Sequence, residues 1–116
     1  IEVTSKTALE GRVHATEKEP FPLGAWQHVA FTADGKTVRL YRNGVEIAKQ
    51  RYNGFTPDPE LKALGIGAKL NADGTAPLGN YWHGRIDELA LFNYALAPEQ
   101  VTELYTAGAP AGSDAP

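Results

Sequence analysis

At 116 residues with 12 glycines and 8 prolines, the chain has the length of one domain, large enough to bury a core yet short for a two-sheet sandwich. It contains no cysteine, which excludes a disulfide framework, a thiolate nucleophile and a cysteine zinc site, and leaves the redox compartment undecided. A formal charge of −3 without a Lys or Arg cluster argues against nucleic acid or an anionic membrane surface. No apolar run approaches bilayer length, and Ile1 to Lys6 show no basic segment leading into an apolar core, so the expectation is a soluble module without membrane insertion, signal or anchor.

Ile1 to Ser5 and Leu9 to Ala15 alternate apolar and polar residues, which predicts two short strands joined through Lys6 to Ala8. The charged and then proline-rich stretch Thr16 to Gly24 reads as a loop, because proline removes ladder donors and disfavours helix in the residue before it. Trp26 to Thr32 is the strongest strand of the first half. Asp34-Gly35 and Asn43-Gly44 are hairpin turns, and together with Thr37 to Arg42 and Val45 to Tyr52 they predict a three-stranded antiparallel meander. Asn53 to Glu60, with Gly54, Pro57 and Pro59, is irregular. Leu61 to Ala68 predicts a strand whose glycines permit close backbone approach, and Lys69 to Asn80 is the longest exposed loop.

The closing stretch organises the rest. Tyr81 to Phe92 places Trp82, Ile86, Leu89 and Leu91 among polar residues and predicts one long strand that changes face near Asp87. A short helix then begins at Pro98, with Glu99 at its positive end, Val101, Leu104 and Tyr105 as its apolar stripe and Gly108 as its stop. A long strand followed by a lone terminal helix predicts an all-β antiparallel sandwich closed by a clasp.

Five short stretches occur in a family-specific order: Trp26-Gln27-His28-Val29-Ala30-Phe31-Thr32 with Asp34-Gly35, Leu40-Tyr41-Arg42-Asn43-Gly44, Leu64-Gly65-Ile66-Gly67, Gly84-Arg85-Ile86-Asp87-Glu88-Leu89, and Ala95 to Val101 with Leu104-Tyr105. On these the sequence resembles the LamG-like jelly-roll modules of the concanavalin A-like lectin/glucanase superfamily. The resemblance implies an antiparallel jelly roll with a short C-terminal helix, used as an accessory module of secreted or cell-surface bacterial proteins. Such modules begin with further strands, so the chain is expected to be the C-terminal larger part of one, with sheet edges open to a second copy or to strands of another chain. A minimal sandwich complete in itself is the alternative.

Hydrolysis finds little support. The serines, Ser5 and Ser113, lie in the first strand and the tail. The superfamily's glucanases carry a Glu-x-Asp-x-x-Glu string, and none is present here; Asp87 and Glu88 are adjacent and on a strand would face opposite ways. Glu17 and Glu19 beside Pro20 read as a solvated charge run. His14, His28 and His83 have no metal-ligand spacing and read as strand residues beside aromatics.

Asn71-Ala72-Asp73-Gly74-Thr75 offers oxygens at alternate positions about a sharp turn, the ligand type that calcium prefers, although an Asx turn bonding its own backbone explains the same residues. The resemblance makes Asp87 a second candidate ligand for a structural calcium; a carboxylate accepting backbone hydrogen bonds is the alternative. Glycan binding, the family's commonest inferred use, needs aromatic faces and convergent polar groups. Tyr81, Trp82 and His83 with Asn80, Asp73 and Arg85 are one such cluster, and Tyr41 with Arg39 another. Trp26 and Tyr41 also fit as sandwich core.

Residues 107–116, rich in Ala, Gly and Pro, read as an interdomain linker after a sandwich of residues 1–106. The expected function is non-catalytic binding of a glycan or surface protein, calcium-dependent if either aspartate above holds the ion; a spacer without a ligand is the alternative.

Overall fold

The computed structural model describes residues 1–7, 11–55 and 63–109, with the side chains of residues 2–7 and 11–13 left aside. It divides into two units, Ile1–Thr56 with Phe92–Pro116, and Pro57–Leu91.

In the first unit, β1 (Glu2–Thr7) and β2 (Gly11–Thr16) form an antiparallel pair running from Glu2 opposite Thr16 to Thr7 opposite Gly11. The amide of Glu17 donates to the Ile1 carbonyl at 2.8 Å and carries the ladder one step further. The alternation of both segments therefore predicted them correctly, with the first strand reaching Thr7 rather than stopping before Lys6.

The meander is present as β3 (Val29–Ala33), β4 (Thr37–Arg42) and β5 (Val45–Arg51), in the order β3-β4-β5 and antiparallel throughout. Asn43 and Gly44 have φ of 51° and 79°, both left-handed, as the favoured two-residue hairpin turn requires. At the other turn only Gly35 is left-handed, with φ 93°. There the Asp34 Oδ1 accepts from the amides of Lys36 at 2.8 Å and Thr37 at 2.7 Å, an Asx-type closure. A bulge between Leu40 and Tyr41 leaves Ile47 as the extra residue, since Leu40 opposes Ala48 and Tyr41 opposes Glu46.

The core of this unit lies between the two sheets, where Ala15 of β2 meets Val38 of β4 and Tyr52, with Ala33 and Ala48 packed around them. Small residues at Ala15, Ala33 and Ala48 let the layers approach closely, and burying Val38 alone stabilises the sandwich by roughly 1.5–3 kcal/mol. Leu40 and Tyr41 point to opposite faces of the central strand and are both buried, so this end of β4 is covered on each side.

The helix α1 (Pro98–Gly108) starts as its sequence predicts, with Pro98 in the first turn and Glu99 beside the helix dipole. Ala97 precedes it and has no side-chain oxygen to cap with; instead the Gln100 Oε1 accepts from the Ala97 amide at 2.8 Å, half of a capping box. Gly108 is the last helical residue and not a left-handed stop: Ala109, extended at φ −71°, closes the helix through its amide to the Tyr105 carbonyl. The helix thus runs two residues into the stretch assigned to the linker, of which residues 110–116 lie outside the described residues. Val101 is fully buried. Tyr105 and Thr102 sit over the Asn43-Gly44 turn, where a Cβ on Gly44 would meet the Tyr105 Cδ1 at 3.2 Å.

The charge run before Pro20 does not behave as expected. Glu17 is buried: its Oε1 accepts from the Arg42 Nε at 2.7 Å, and its Oε2 lies 3.2 Å from the Ile1 amino nitrogen. The ladder extension at Ile1 turns this side chain inward toward the end of β4, while Glu19 remains exposed.

The second unit departs most from its sequence pattern. Part of the expected strand 61–68 falls outside the described residues, and residues 63–68 form no strand. Gly65 turns so tightly that a Cβ there would lie 2.7 Å from the Ala68 carbonyl oxygen, which is the close approach its glycines imply. The expected long loop holds a small antiparallel hairpin, β6 (Lys69–Leu70) with β7 (Pro77–Gly79). The expected long strand from Tyr81 to Phe92 is absent: Asn80 and Glu88 have φ of 52° and 51°, and left-handed residues at both places break the extended geometry that a ladder needs.

Candidate functional site

The aromatic stretch after β7 is anchored through Trp82. The Trp82 amide donates to the Gly67 carbonyl at 2.7 Å, and its indole N–H reaches the Arg85 carbonyl at 3.4 Å, a long and weak bond. Gly84 lies against the indole, where a Cβ would come within 3.0 Å of the Trp82 Nε1. Gly67 faces the same side chain and Ile86, with a Cβ there at 3.4 Å from the Ile86 Cδ1. Gly84 thereby makes room for the indole, yet Trp82 remains 49% exposed and Tyr81 59% exposed. Asn80, His83 and Arg85, the polar residues expected beside them, are exposed as well.

The second aromatic candidate fails on burial. Tyr41 is only 1% exposed and offers no face to a sugar. Burial raises its hydroxyl pKa, with the negative charge of Glu46 adding to that effect. Its sequence neighbour Arg39 is committed to Glu46, whose Oε2 accepts from the guanidinium at 2.9 Å.

The calcium candidates are engaged in local hydrogen bonds, Asn71 and Asp87 with backbone amides and Asp73 with a side-chain hydroxyl. The Asn71 Oδ1 accepts from the amides of Thr75 at 2.9 Å and Ala76 at 3.2 Å, and its Nδ2 donates to the Thr75 hydroxyl at 3.1 Å. That hydroxyl donates to the Asp73 Oδ1 at 2.8 Å, so the loop that closes β6 onto β7 has the Asx-turn form rather than an open ring of oxygens. The Asp87 Oδ1 accepts from the Glu88 amide at 2.8 Å. Among the described residues no three His, Cys, Asp or Glu side chains gather as a metal site. This donor set does not fit a calcium cage, which needs six or more oxygens around one ion.

Asp87 and Glu88 do not lie on a strand, so opposed strand faces are not what separates them; the left-handed backbone of Glu88 sets their geometry instead. Of the histidines, His14 lies in β2 and is exposed, His83 is exposed outside any strand, and His28 lies beside an aromatic, its ring centroid 5.9 Å from that of Tyr105. Burial alone lowers the His28 pKa and favours the neutral imidazole.

Sequence reasoning missed the role of Asn43. Beyond forming the turn, its Oδ1 accepts from the His28 amide at 2.9 Å, its Nδ2 donates to the Gln27 Oε1 at 2.9 Å, and its amide donates to the His28 carbonyl at 2.8 Å. The turn residue therefore extends the β3–β4 ladder beyond Val29 with its side chain, and no pattern in the sequence distinguishes this from an ordinary Asn-Gly turn.

Residues 1–102 match the family model Laminin_G_3, described as the concanavalin A-like lectin/glucanases superfamily. The chain belongs to this superfamily. A crystal structure of residues 221–444 of an S-layer domain-containing protein from Clostridium thermocellum is similar to it, with 26% identity and a TM-score of 0.60. The match covers 90% of this chain and 50% of that one, so the chain spans half the length of the solved relative. No curated protein matches it. As a laminin G-like module it has the expected antiparallel strands with one short helix, and the turn, meander and helix motifs that carried the resemblance fall where the fold needs them.

Proposed function

We propose that this chain is a non-catalytic accessory module of a larger cell-surface or secreted protein, and that it binds carbohydrate through Tyr81 and Trp82. The observation that carries the reading is Trp82: a large aromatic fixed at its amide to Gly67 and flanked by glycines, yet left half exposed. A flat apolar face backed by structure and bordered by Asn80, His83 and Arg85 is what stacking against a sugar ring demands. Superfamily membership supports the reading, and the S-layer domain-containing relative supports a place at the cell surface. Non-catalytic action is favoured because Asp87 already accepts from the amide of its neighbour Glu88 and no second carboxylate pair at glycosidase spacing is implied by the sequence.

The test is retention on a panel of immobilised polysaccharides, run in calcium and in chelator. Binding by the unmodified chain should fall about tenfold or more in Trp82→Ala, with the thermal midpoint unchanged because the side chain is half exposed. Arg39→Ala, in the other unit, should bind as the unmodified chain does. Equal binding in chelator is the result the donor set leads us to expect, and a loss in chelator would assign calcium a part in binding. No retention on any polysaccharide in either condition would overturn the reading in favour of a spacer without a ligand.

A further inference from the structure

We propose that α1 is an acid-released clasp: protonation of His28 lifts the helix from the β3–β4–β5 sheet and uncovers the Tyr41 face, while the core on the other face stays packed. Ala30 opposes Tyr41 in the ladder, and the Asn43 amide carries that ladder on to the His28 carbonyl, so His28, Ala30 and Tyr41 share one face. Val38, three residues before Tyr41, faces the other way, toward Ala15 and Tyr52. Both ends of the helix bear on the Tyr41 face. The Tyr105 ring lies 5.9 Å from that of His28, tilted by 44°, and Glu99 in the first turn acts on the Tyr41 hydroxyl.

The contact at His28 has no place for a positive charge. The His28 Nδ1 and the Tyr105 hydroxyl are buried, and neither has a hydrogen-bond partner among the described residues. An imidazolium donates from both ring nitrogens, and burying it unpaired is costly. The charged groups nearby are engaged elsewhere. Glu46 accepts from Arg39, Arg42 is paired with Glu17, and Glu103 is exposed. Burial therefore acts alone on His28 and opposes its protonation.

Of the two elements that meet there, the helix is the one that yields. The strand is pinned, since the His28 amide donates to the Asn43 Oδ1 at 2.9 Å and its carbonyl accepts from the Asn43 amide at 2.8 Å. The helix is held by less. Val101 is its buried side chain, and the Thr102 hydroxyl lies 3.2 Å from the Gly44 carbonyl and 3.1 Å from the Pro98 carbonyl, long distances for an O–H donor. Among the described residues no ion pair joins α1 to the sheet. An element held in this way can open without global unfolding.

Amide exchange of the whole chain, corrected for its intrinsic pH dependence and stepped from about pH 7.5 to about pH 5, tests the release. Protection of the Thr102 to Tyr105 amides should fall by up to about tenfold per pH unit below 6.5, while the amides of β4 hold theirs. His28→Phe should keep α1 protected throughout. Thiol labelling is the second reading, in a chain that has no cysteine. Reaction at Val101→Cys should speed up on acidification relative to Leu104→Cys, an exposed position on the same helix; the ratio removes the thiol's own ionisation. Protection of α1 that stays flat across the range, an equal fall in β4, a labelling ratio that does not rise, or a fall that survives in His28→Phe would overturn the proposal.

Discussion

The Arg42 Nε lies 2.7 Å from the Glu17 Oε1, so a residue just past β2 is tied to the last residue of β4 at the edge of the core. Burial raises the Glu17 carboxyl pKa, but the hydrogen bonds and charges of Arg42 and the Ile1 amino group outweigh it, and the net pKa falls below the ordinary 4.5. The ionised form is therefore favoured by folding. Its contribution is complete above the unfolded value and is lost as pH falls through the folded one.

Glu17→Gln should accordingly lower stability by about 2 kcal/mol near neutral pH, because it leaves the Arg42 guanidinium with a weaker acceptor at a buried position. Urea unfolding along a pH series checks this. The gap between the two proteins should narrow as pH drops below 4.5, where the unmodified chain loses the same interaction.

His28 predicts a second acid-sensitive window, at higher pH. Its pKa is lowered from 6.5 by burial, so the unfolded chain binds a proton that the folded chain resists. Stability then declines as pH falls through 6.5 toward the folded value. His28→Phe keeps an aromatic beside Tyr105 and removes the titration. Thermal midpoints of the two proteins should converge with falling pH or cross in favour of the variant, and a parallel decline in both would refute the role of His28.

Gly44→Ala should cost about 2 kcal/mol. A side chain at left-handed φ costs roughly 1–2 kcal/mol, and its Cβ would press on the Tyr105 Cδ1 at 3.2 Å. Gly35→Ala, where nothing lies within 4 Å of the added carbon, should pay only the backbone part. Chemical denaturation of the two variants measures the difference, which isolates the seating of α1 on the turn.

Asn71→Ala should release the β6–β7 connection without unfolding the sandwich. It removes the acceptor for the Thr75 and Ala76 amides, at exposed positions where such bonds contribute about 1 kcal/mol. Amide exchange should show lost protection at those two residues, and unchanged protection across β3, β4 and β5.

The elements whose geometry is local were legible in the sequence. Asn43-Gly44 dictates its turn, Asp34 closes its own, and Pro98 with Glu99 starts α1, because each depends on residues a few positions away. Tyr81 to Phe92 was misread because alternation states only which side chains could share a face; a ladder needs a neighbouring strand, and Asn80 and Glu88 adopt left-handed backbone that alternation cannot reveal. Glu17 was misread for a related reason: its partner Arg42 is 25 residues away, and only the register of the two sheets brings them together. Within the candidate site, Tyr81 and Trp82 were legible as aromatics in a polar setting. Tyr41 was not separable from them by residue type, since burial alone distinguishes a platform from a core residue.

The Thr102 hydroxyl bonds the Gly44 carbonyl across 58 residues of chain. During synthesis the meander, whose contacts are short-range, can assemble long before the helix that rests on its turn has left the ribosome. The seat at Gly44 and His28 stays uncovered through that interval, and the fully buried Val101 is the piece that ends it. A nascent chain arrested before Pro98 would thus display a formed hairpin with an open roof, a species on which chaperones and proteases act before the finished module exists.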